Sequence, residues 1–187
     1  LVEPESTYLS NIMSNLVLNG SRTLASLQFS RDALSTRYGV TRVTGSVTAI
    51  DPGARNVTVA DKSVLAYDRL VLAPGVSFDD AYGLTQADYD TRTPHAWRAG
   101  AQTTLLRTQL AAMRNGDTFV MTIPKAPYRC PPGPYERACT IAAYLKQAKP
   151  RSKLLVLDAN PEIQSKKALF ERAFAQHYKG IVEYRPN

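Results

Sequence analysis

The stretch Lys153-Leu154-Leu155-Val156-Leu157-Asp158 decides the fold, together with two further apolar runs at residues 117–123 and 181–184. Each run has the length and apolar character of a buried strand, and helical patterns over residues 134–146 and 161–178 separate them. This β-α-β-α-β order predicts an α/β fold with a parallel sheet and right-handed crossovers. Such a Rossmann-like unit is half of a dinucleotide-binding fold.

The N-terminal part of the chain carries a different strand pattern. Residues 1–3 are typical of the end of a strand that stops at Pro4, and residues 40–50 predict one long bent strand. A turn at residues 51–54 leads to a returning strand at residues 56–60. Residues 70–73 are continuously apolar, which predicts a strand buried on both faces.

Two helical patterns and a change of composition complete the outline. Leu24, Leu27 and Leu34 have roughly helical spacing that ends at Gly39, and residues 94–113 predict a long helix. The segment between residues 76 and 93 is rich in turn formers and indicates a connection. We therefore expect a first domain at residues 1–75 and a second at residues 76–187.

Composition excludes several functional classes. The chain has 187 residues, of which 44% are hydrophobic, and 23 Lys+Arg against 16 Asp+Glu give a net charge of +7. The basic residues are scattered, so we expect no nucleic-acid partner; a solvated surface or an acidic protein partner explains the charge better. No apolar run reaches the roughly 20 residues of a transmembrane helix. Two Cys and two His exclude a disulfide-dense scaffold and argue against a structural zinc site.

The first strand-to-helix turn of the second domain, residues 124–137, argues against nucleotide binding. A dinucleotide site carries Gly-x-Gly-x-x-Gly at this turn, so that backbone amides approach the pyrophosphate. Here five prolines remove five amide donors; they are Pro124, Pro127, Pro131, Pro132 and Pro134. We therefore expect no nicotinamide cofactor at this turn.

Cys130 lies in this turn, just before the helix whose first turn begins with Pro134. The positive end of the helix dipole, reinforced by Arg129 and Arg137, favours a thiolate there. Glu136 is a candidate proton acceptor. The alternative is that Cys130 is an ordinary buried thiol and Glu136 an acid favoured at a helix start.

The second cysteine and the histidines have simpler interpretations. Cys139 lies among small and apolar residues of a helix and is predicted to be a core thiol; a Cys130–Cys139 disulfide is a geometrically demanding alternative. His95 and His177 have no partner at a recognisable spacing, and no catalytic triad is predicted.

At this point a family resemblance is evident. The segment Tyr128-Arg129-Cys130-Pro131-Pro132-Gly133-Pro134-Tyr135-Glu136-Arg137-Ala138 resembles the redox-cysteine segment of the flavoprotein subunit of flavocytochrome c sulfide dehydrogenase. Further matches occur in the same order along the chain. They are residues 8–11 (Tyr-Leu-Ser-Asn), residues 67–75 (ending in Ala-Pro-Gly), residues 94–100 and residues 149–158.

The resemblance implies a function. Members of this family are periplasmic, belong to the two-dinucleotide-fold flavoproteins and are related to sulfide quinone reductases. Their flavin subunit oxidises sulfide and passes electrons from FAD to a c-type cytochrome subunit. By position, Cys130 corresponds to one half of the redox-active disulfide and Glu136 to the active-site glutamate.

The resemblance also implies a cofactor site in a partial FAD-binding domain. Glu3 corresponds to the acid that binds the adenosine ribose, and Val47 with Ala73, Pro74 and Gly75 corresponds to the FAD-binding wall. The family's first FAD strand with its Gly-rich turn is expected before Leu1. A partner cysteine and an interface domain are expected after Asn187, which makes this chain an internal fragment. Thr7 stands where the family has its flavin-linking cysteine, so we expect non-covalent FAD.

Two alternatives remain at this stage. One is a family member without catalysis that serves as a sulfur carrier or as a cytochrome-docking module. The other is a nicotinamide-dependent flavin reductase, which the proline-rich turn disfavours.

Overall fold

The computed structural model describes all 187 residues and divides them into two compact units. The N-terminal unit comprises Leu1–Ser10 and Gln28–Thr85, and the C-terminal unit comprises Asn11–Leu27 and Gln86–Asn187. This division differs from the expected boundary after residue 75 because Asn11–Leu27 packs with the second half of the chain.

The chain contains ten strands and six α-helices. The strands are β1 (Val2–Glu3), β2 (Thr7–Leu9), β3 (Gln28–Ser30), β4 (Val43–Thr44), β5 (Val47–Asp51), β6 (Asn56–Val59), β7 (Val64–Ala66), β8 (Thr118–Ile123), β9 (Lys153–Asp158) and β10 (Val182–Arg185). The helices are α1 (Asn15–Leu18), α2 (Asp32–Tyr38), α3 (Gln86–Thr91), α4 (Ala101–Ala112), α5 (Gly133–Ala148) and α6 (Lys167–Arg172). A 3₁₀ turn occurs at Ala25–Leu27 and a π-helical turn at Ala173–His177.

The C-terminal unit contains the predicted parallel sheet. Its strand order is β10-β9-β8, and both pairs are parallel. The register pairs Thr118 with Lys153 at one end and Ile123 with Asp158 at the other. Helix α5 joins β8 to β9 and packs against β9, and α6 lies between β9 and β10. The predicted α/β class and β-α-β-α-β order are therefore confirmed.

A single apolar core holds this unit together. Its fully buried members come from the sheet and from α4 and α5, and side chains of α6 and of the turn after it close one side. They include Leu106, Leu110, Ile123, Ile141, Leu145, Leu154, Val156, Phe170 and Phe174. Leu106 and Leu110 belong to the apolar side predicted for the helix over residues 94–113.

Two helices begin later than their sequence patterns predict. Helix α4 begins at Ala101 because Gly100 has a φ of 148°, and the preceding residues form a loop. Helix α6 begins at Lys167, after Lys166 with a φ of 51°, and the chain continues as the π-helical turn rather than as one helix over residues 161–178. None of the helices combines the length and the apolar character that crossing a membrane requires.

The long strand predicted over residues 40–50 is divided into β4 and β5. Strand β4 pairs in parallel with β1, whereas β5 forms an antiparallel sheet with β6 and β7. The chain changes sheets at Gly45, where a β-carbon would lie only 2.6 Å from Val59 Cγ1. Only glycine permits this close approach, so the bend is encoded at that residue.

The prediction of a strand at residues 70–73 is wrong. These residues form no strand, and Val71 is 87% exposed. A strand buried on both faces needs a hydrogen-bonded neighbour on each side, and no strand of this chain pairs with the segment. The helical spacing from Leu24 to Leu34 is also broken, because Gln28–Ser30 forms β3, antiparallel to β2. It is divided into the 3₁₀ turn at Ala25–Leu27 and α2, which has Gly39 as its left-handed cap.

Candidate functional site

Cys130 lies on the loop that connects the carboxyl end of β8 to the first turn of α5. Helix α5 begins at Gly133, with Pro134 as its second residue, so the thiol is placed beside a helix N-terminus as predicted. The Cys130 carbonyl accepts the Gly133 amide at 2.9 Å. Cys130 has a φ of 60°, a left-handed conformation that is rare for a residue with a side chain. It is exposed and makes no disulfide, so the buried-thiol alternative is wrong.

The thiol lies against Gly133 and the Trp97 ring. A β-carbon placed on Gly133 would be 3.2 Å from Cys130 Sγ and 3.5 Å from the nearest Trp97 ring carbon. The absence of a side chain at Gly133 therefore makes room for both groups. Trp97 is held in turn by its own backbone amide, which donates to His95 Nδ1 at 3.1 Å. Burial lowers the pKa of His95, and the positive charge of Arg137 lowers it further, which favours the neutral ring that accepts this bond.

The guanidinium group of Arg137 stacks on the face of the Trp97 ring. Its guanidinium carbon lies 3.5 Å from the centre of the Trp97 ring, and its side chain is almost fully buried. Its donors reach Asn15 Oδ1 at 2.9 Å, the Ala96 carbonyl at 2.7 Å and the His95 carbonyl. Burial lowers the pKa of Arg137. No carboxylate forms an ion pair with its guanidinium group. Arg137 therefore orients the Trp97 loop, whereas the sequence had suggested only an effect on the thiolate.

Glu136 and Cys139 lie in the first two turns of α5. The Glu136 side chain is exposed and forms no hydrogen bond or ion pair with Cys130. Cys139 is half-buried against the core, as predicted; burial and, secondly, the charge of Glu136 raise the pKa of its thiol to about 11. Both cysteines are free, so the alternative Cys130–Cys139 disulfide is not formed.

A buried hydrogen-bond network at the carboxyl ends of β8 and β9 was not foreseen from the sequence. Asp158 Oδ2 accepts the Tyr135 and Tyr184 hydroxyls at 2.7 and 2.8 Å, and Asp158 Oδ1 accepts the Asn160 side-chain amide at 2.7 Å. Burial raises the pKa values of both tyrosines, which keeps them protonated as donors. The acid at the end of a strand is visible in the sequence, but its partners are 23 and 26 residues away.

The candidate FAD residue Glu3 ends β1 in the N-terminal unit. Its carboxylate forms an ion pair of 3.2 Å with Arg31 and accepts the Glu5 amide at 3.2 Å. Both oxygens keep free lone pairs, and the side chain is about one-third exposed. Arg31 Nε is buried without a hydrogen-bond partner. An acid at the end of a parallel strand beside a buried spare donor fits the ribose end of a dinucleotide.

The remaining predicted FAD contacts are in the same unit but are not joined to Glu3 by hydrogen bonds. Val47 begins β5 and is exposed. Ala73, Pro74 and Gly75 are exposed on the segment without regular structure, and Gly75 has a φ of 81°. Cys130 and Glu136 lie in the C-terminal unit, so the predicted site residues belong to two different units.

Comparison with known families identifies the C-terminal segment. Residues 103–187 match the family model described as "Sulfide dehydrogenase [flavocytochrome c] flavoprotein chain, central". The predicted resemblance is confirmed. The matched segment contains Cys130, Glu136 and the whole parallel sheet. The matches noted at residues 8–11, 67–75 and 94–100 lie outside it and stay predictions.

Solved structures share the fold of the whole chain. The sulfide:quinone oxidoreductase from the hyperthermophilic bacterium Aquifex aeolicus is 19% identical with a TM-score of 0.72, and the match covers 100% of this chain and 44% of that one. The covalent putidaredoxin reductase–putidaredoxin complex is 22% identical, TM-score 0.65, with coverages of 100% and 42%. NDH2 from Plasmodium falciparum in complex with NADH is 12% identical, TM-score 0.65, with the same coverages.

These matches establish the fold, and the chain spans less than half the length of each of these structures. The family match applies to residues 103–187, and the whole chain is similar in fold to sulfide:quinone oxidoreductase.

Proposed function

We propose that this chain is part of an FAD-dependent enzyme that oxidises sulfide, or a related reduced sulfur compound, through Cys130. One observation carries the proposal. Within the segment that matches the sulfide dehydrogenase family, the Cys130 thiol is free and exposed at a left-handed residue beside a helix N-terminus. A cysteine held in this way is open to a small nucleophile, whereas Cys139 on the same helix is packed against the core.

The chemistry is thiol–disulfide exchange followed by electron transfer. In the oxidised enzyme Cys130 is bonded to a second cysteine, which the family resemblance places beyond Asn187. Hydrosulfide attacks the Cys130 sulfur; a new S–S bond forms, the old one breaks, and the second cysteine leaves as a thiolate. Cys130 then carries a persulfide. A second hydrosulfide then attacks the outer sulfur of this persulfide; a new S–S bond forms in the hydrogen disulfide that leaves, and Cys130 is released as a thiol. The two reduced cysteines would re-form their disulfide by giving two electrons to FAD, when it is bound.

Residues of this chain would assist at both ends of this route. Glu136, in the first turn of α5, is proposed to accept the proton of the incoming hydrogen sulfide. Glu3 and Arg31 would hold the ribose end of FAD, with Val47 and Ala73, Pro74 and Gly75 along the cofactor wall. Thr7 has a hydroxyl and no thiol, so we propose that the flavin is bound without a covalent link.

The proposed electron acceptor is a c-type cytochrome subunit, in accord with the description of the matched family as part of flavocytochrome c. We propose a periplasmic location for the same reason. Both proposals rest on the family, and no contact within the chain bears on them.

The decisive experiment follows the flavin absorbance of the intact protein as sulfide is added without oxygen. We expect bleaching in the wild type, loss of bleaching in Cys130→Ser, and bleaching close to wild type in the matched control Cys139→Ser. Bound flavin that ignores sulfide but bleaches with NADH would contradict the proposal and favour a nicotinamide-dependent reductase. Absence of flavin from the intact protein would instead favour a docking or sulfur-carrier module.

A further inference from the structure

The Cys130 loop is attached at both ends to one buried carboxylate, that of Asp158. The loop leaves β8 at Pro124 and enters α5 at Gly133, two residues before Tyr135. At its exit, the Tyr135 hydroxyl donates to Asp158 Oδ2 at 2.7 Å, and both residues are buried. At its entry, Asn160 Oδ1 accepts the Ala126 amide at 2.8 Å, and Asn160 Nδ2 donates to the Pro124 carbonyl at 2.9 Å.

Asn160 links Asp158 to the start of the Cys130 loop by hydrogen bonds to both. Its backbone amide and its side-chain amide both donate to Asp158 Oδ1, at 3.0 and 2.7 Å. Asn160 is itself buried, so its orientation is fixed by these bonds and by the two it makes to the loop. The Asp158 carboxylate is therefore hydrogen-bonded to residues that fix both the start and the end of the loop that carries Cys130.

The donors around Asp158 are all neutral. Its four hydrogen bonds come from Tyr135, Tyr184 and the two amides of Asn160, and no cation forms an ion pair with it. Burial of a lone carboxylate is costly unless such bonds satisfy it. Removing one donor therefore takes away one of these four hydrogen bonds and leaves the other three in place.

The position of Asp158 in the fold adds a second argument. An acid at the end of the second strand of a β-α-β unit is where dinucleotide-binding folds hold the ribose hydroxyls. Here two tyrosine hydroxyls take the places of such ligand hydroxyls on Asp158 Oδ2. The Asp158 carboxylate therefore binds hydroxyl groups of this chain in the positions where a ligand's hydroxyl groups would lie.

We propose that Asp158 is a positioning residue for Cys130, holding the Cys130 loop at both ends through Tyr135 and Asn160. The value of this positioning for sulfide oxidation rests on the proposed function, but the mechanical link does not. The two claims are therefore tested by separate measurements.

The test uses a matched pair of tyrosines that donate to the same oxygen. Tyr135 lies on the loop side, whereas Tyr184 lies on β10 and has no bond to the loop. In the intact protein with every cysteine except Cys130 replaced by alanine, a nitroxide spin label is placed on Cys130. We expect Tyr135→Phe to shorten the rotational correlation time of the label about threefold and Tyr184→Phe to leave it within experimental error. Asn160→Ala is expected to act like Tyr135→Phe.

Label mobility that is unchanged in both Tyr135→Phe and Asn160→Ala would overturn the proposal, as would an equal increase in Tyr135→Phe and Tyr184→Phe. Thermal unfolding of each variant controls for general loss of structure. The unlabelled variants are then assayed for flavin bleaching by sulfide, with slower bleaching expected only where the label gained mobility. If wild-type protein fails to react with sulfide while the mobility pattern holds, the proposed function fails and the positioning role stands.

Discussion

At the scale of single residues, the cysteine of α5 and the cysteine of the preceding loop differ in burial, which affects thiol reactivity. Cys130 is exposed on a loop of fixed shape, whereas Cys139 is half-buried against the core. Burial raises the pKa of Cys139 to about 11, with a smaller contribution from the negative charge of Glu136. The thiolate of Cys139 is therefore scarce at neutral pH, and only a thiolate attacks an alkylating reagent.

We predict that iodoacetamide labels Cys130 selectively at pH 8 and that labelling of Cys139 increases only as the pH approaches about 11. Glu136→Gln removes the secondary cause of the shift, so its Cys139 profile should move to lower pH without reaching that of a free thiol. Mass spectrometry of the labelled peptides at each pH measures both rates.

The charge-conserving variant Glu136→Asp is the control and should keep the Cys139 profile near that of the wild type. The sign for stability follows from the same shift. Because folding raises the pKa of Cys139, its contribution to stability is complete below the unfolded value of about 8.5 and is lost as the pH rises toward about 11. Equal labelling of both cysteines at pH 8 would contradict this description.

At the scale of elements, the glycine between β4 and β5 determines how the N-terminal unit turns from one sheet to the next. We predict that Gly45→Ala destabilises this unit by about 1–3 kcal/mol, because the new methyl group would lie 2.6 Å from Cγ1 of Val59, whose side chain is fully buried. Denaturant unfolding monitored by hydrogen exchange of the β6 amides measures the loss.

Gly53→Ala is the matched control, since its β-carbon would meet nothing closer than Asp51 Oδ1 at 3.4 Å. We expect its effect to stay within about 0.5 kcal/mol. The double variant Gly45→Ala with Val59→Ala should recover part of the loss, because the second change removes the clashing methyl. A Gly45→Ala variant as stable as the control would show that the bend has another origin.

The elements also show which parts of the fold are predictable from sequence. Strand β9 was predicted at its observed bounds and β8 to within one residue, because a short apolar run between turn formers is a local signal. The strand expected at residues 70–73 failed because burial on two faces depends on neighbours, which no local pattern can supply. The helix starts at Ala101 and Lys167 were misplaced because the backbone conformations of Gly100 and Lys166 break the apolar periodicity.

The candidate site divides in the same way. Cys130 and its place before α5 were predictable because prolines fix the local chain. The Trp97–Arg137 stack and the Asp158 network were not, because each joins residues far apart in the chain through side-chain geometry. The one available signal was the pair Asp158 and Asn160 just after a buried strand, which marks the edge where parallel strands place polar residues.

At the scale of the whole molecule, the binding of FAD requires contacts both to its ribose and to its pyrophosphate. Glu3, which forms an ion pair with Arg31, is the acid proposed to bind the ribose. The pyrophosphate carries most of the charge of a dinucleotide and is normally neutralised by amides of a Gly-rich turn at a helix N-terminus. These 187 residues contain no Gly-x-Gly-x-x-Gly sequence, and residues 124–137, from the end of β8 into α5, have proline at five positions.

We therefore predict that the 187 residues, expressed and purified by themselves, retain less than about one-tenth of a flavin per chain. The ratio of absorbance at the flavin band to that of the protein measures this directly, and titration with free FAD checks that none was lost in purification. Glu3→Gln should change the result little, since the missing pyrophosphate contacts limit binding before the ribose contact matters. Stoichiometric flavin in the purified chain would contradict the prediction and would mean that Glu3, Arg31 and the exposed Ala73–Gly75 turn hold FAD without amide donors to its phosphates.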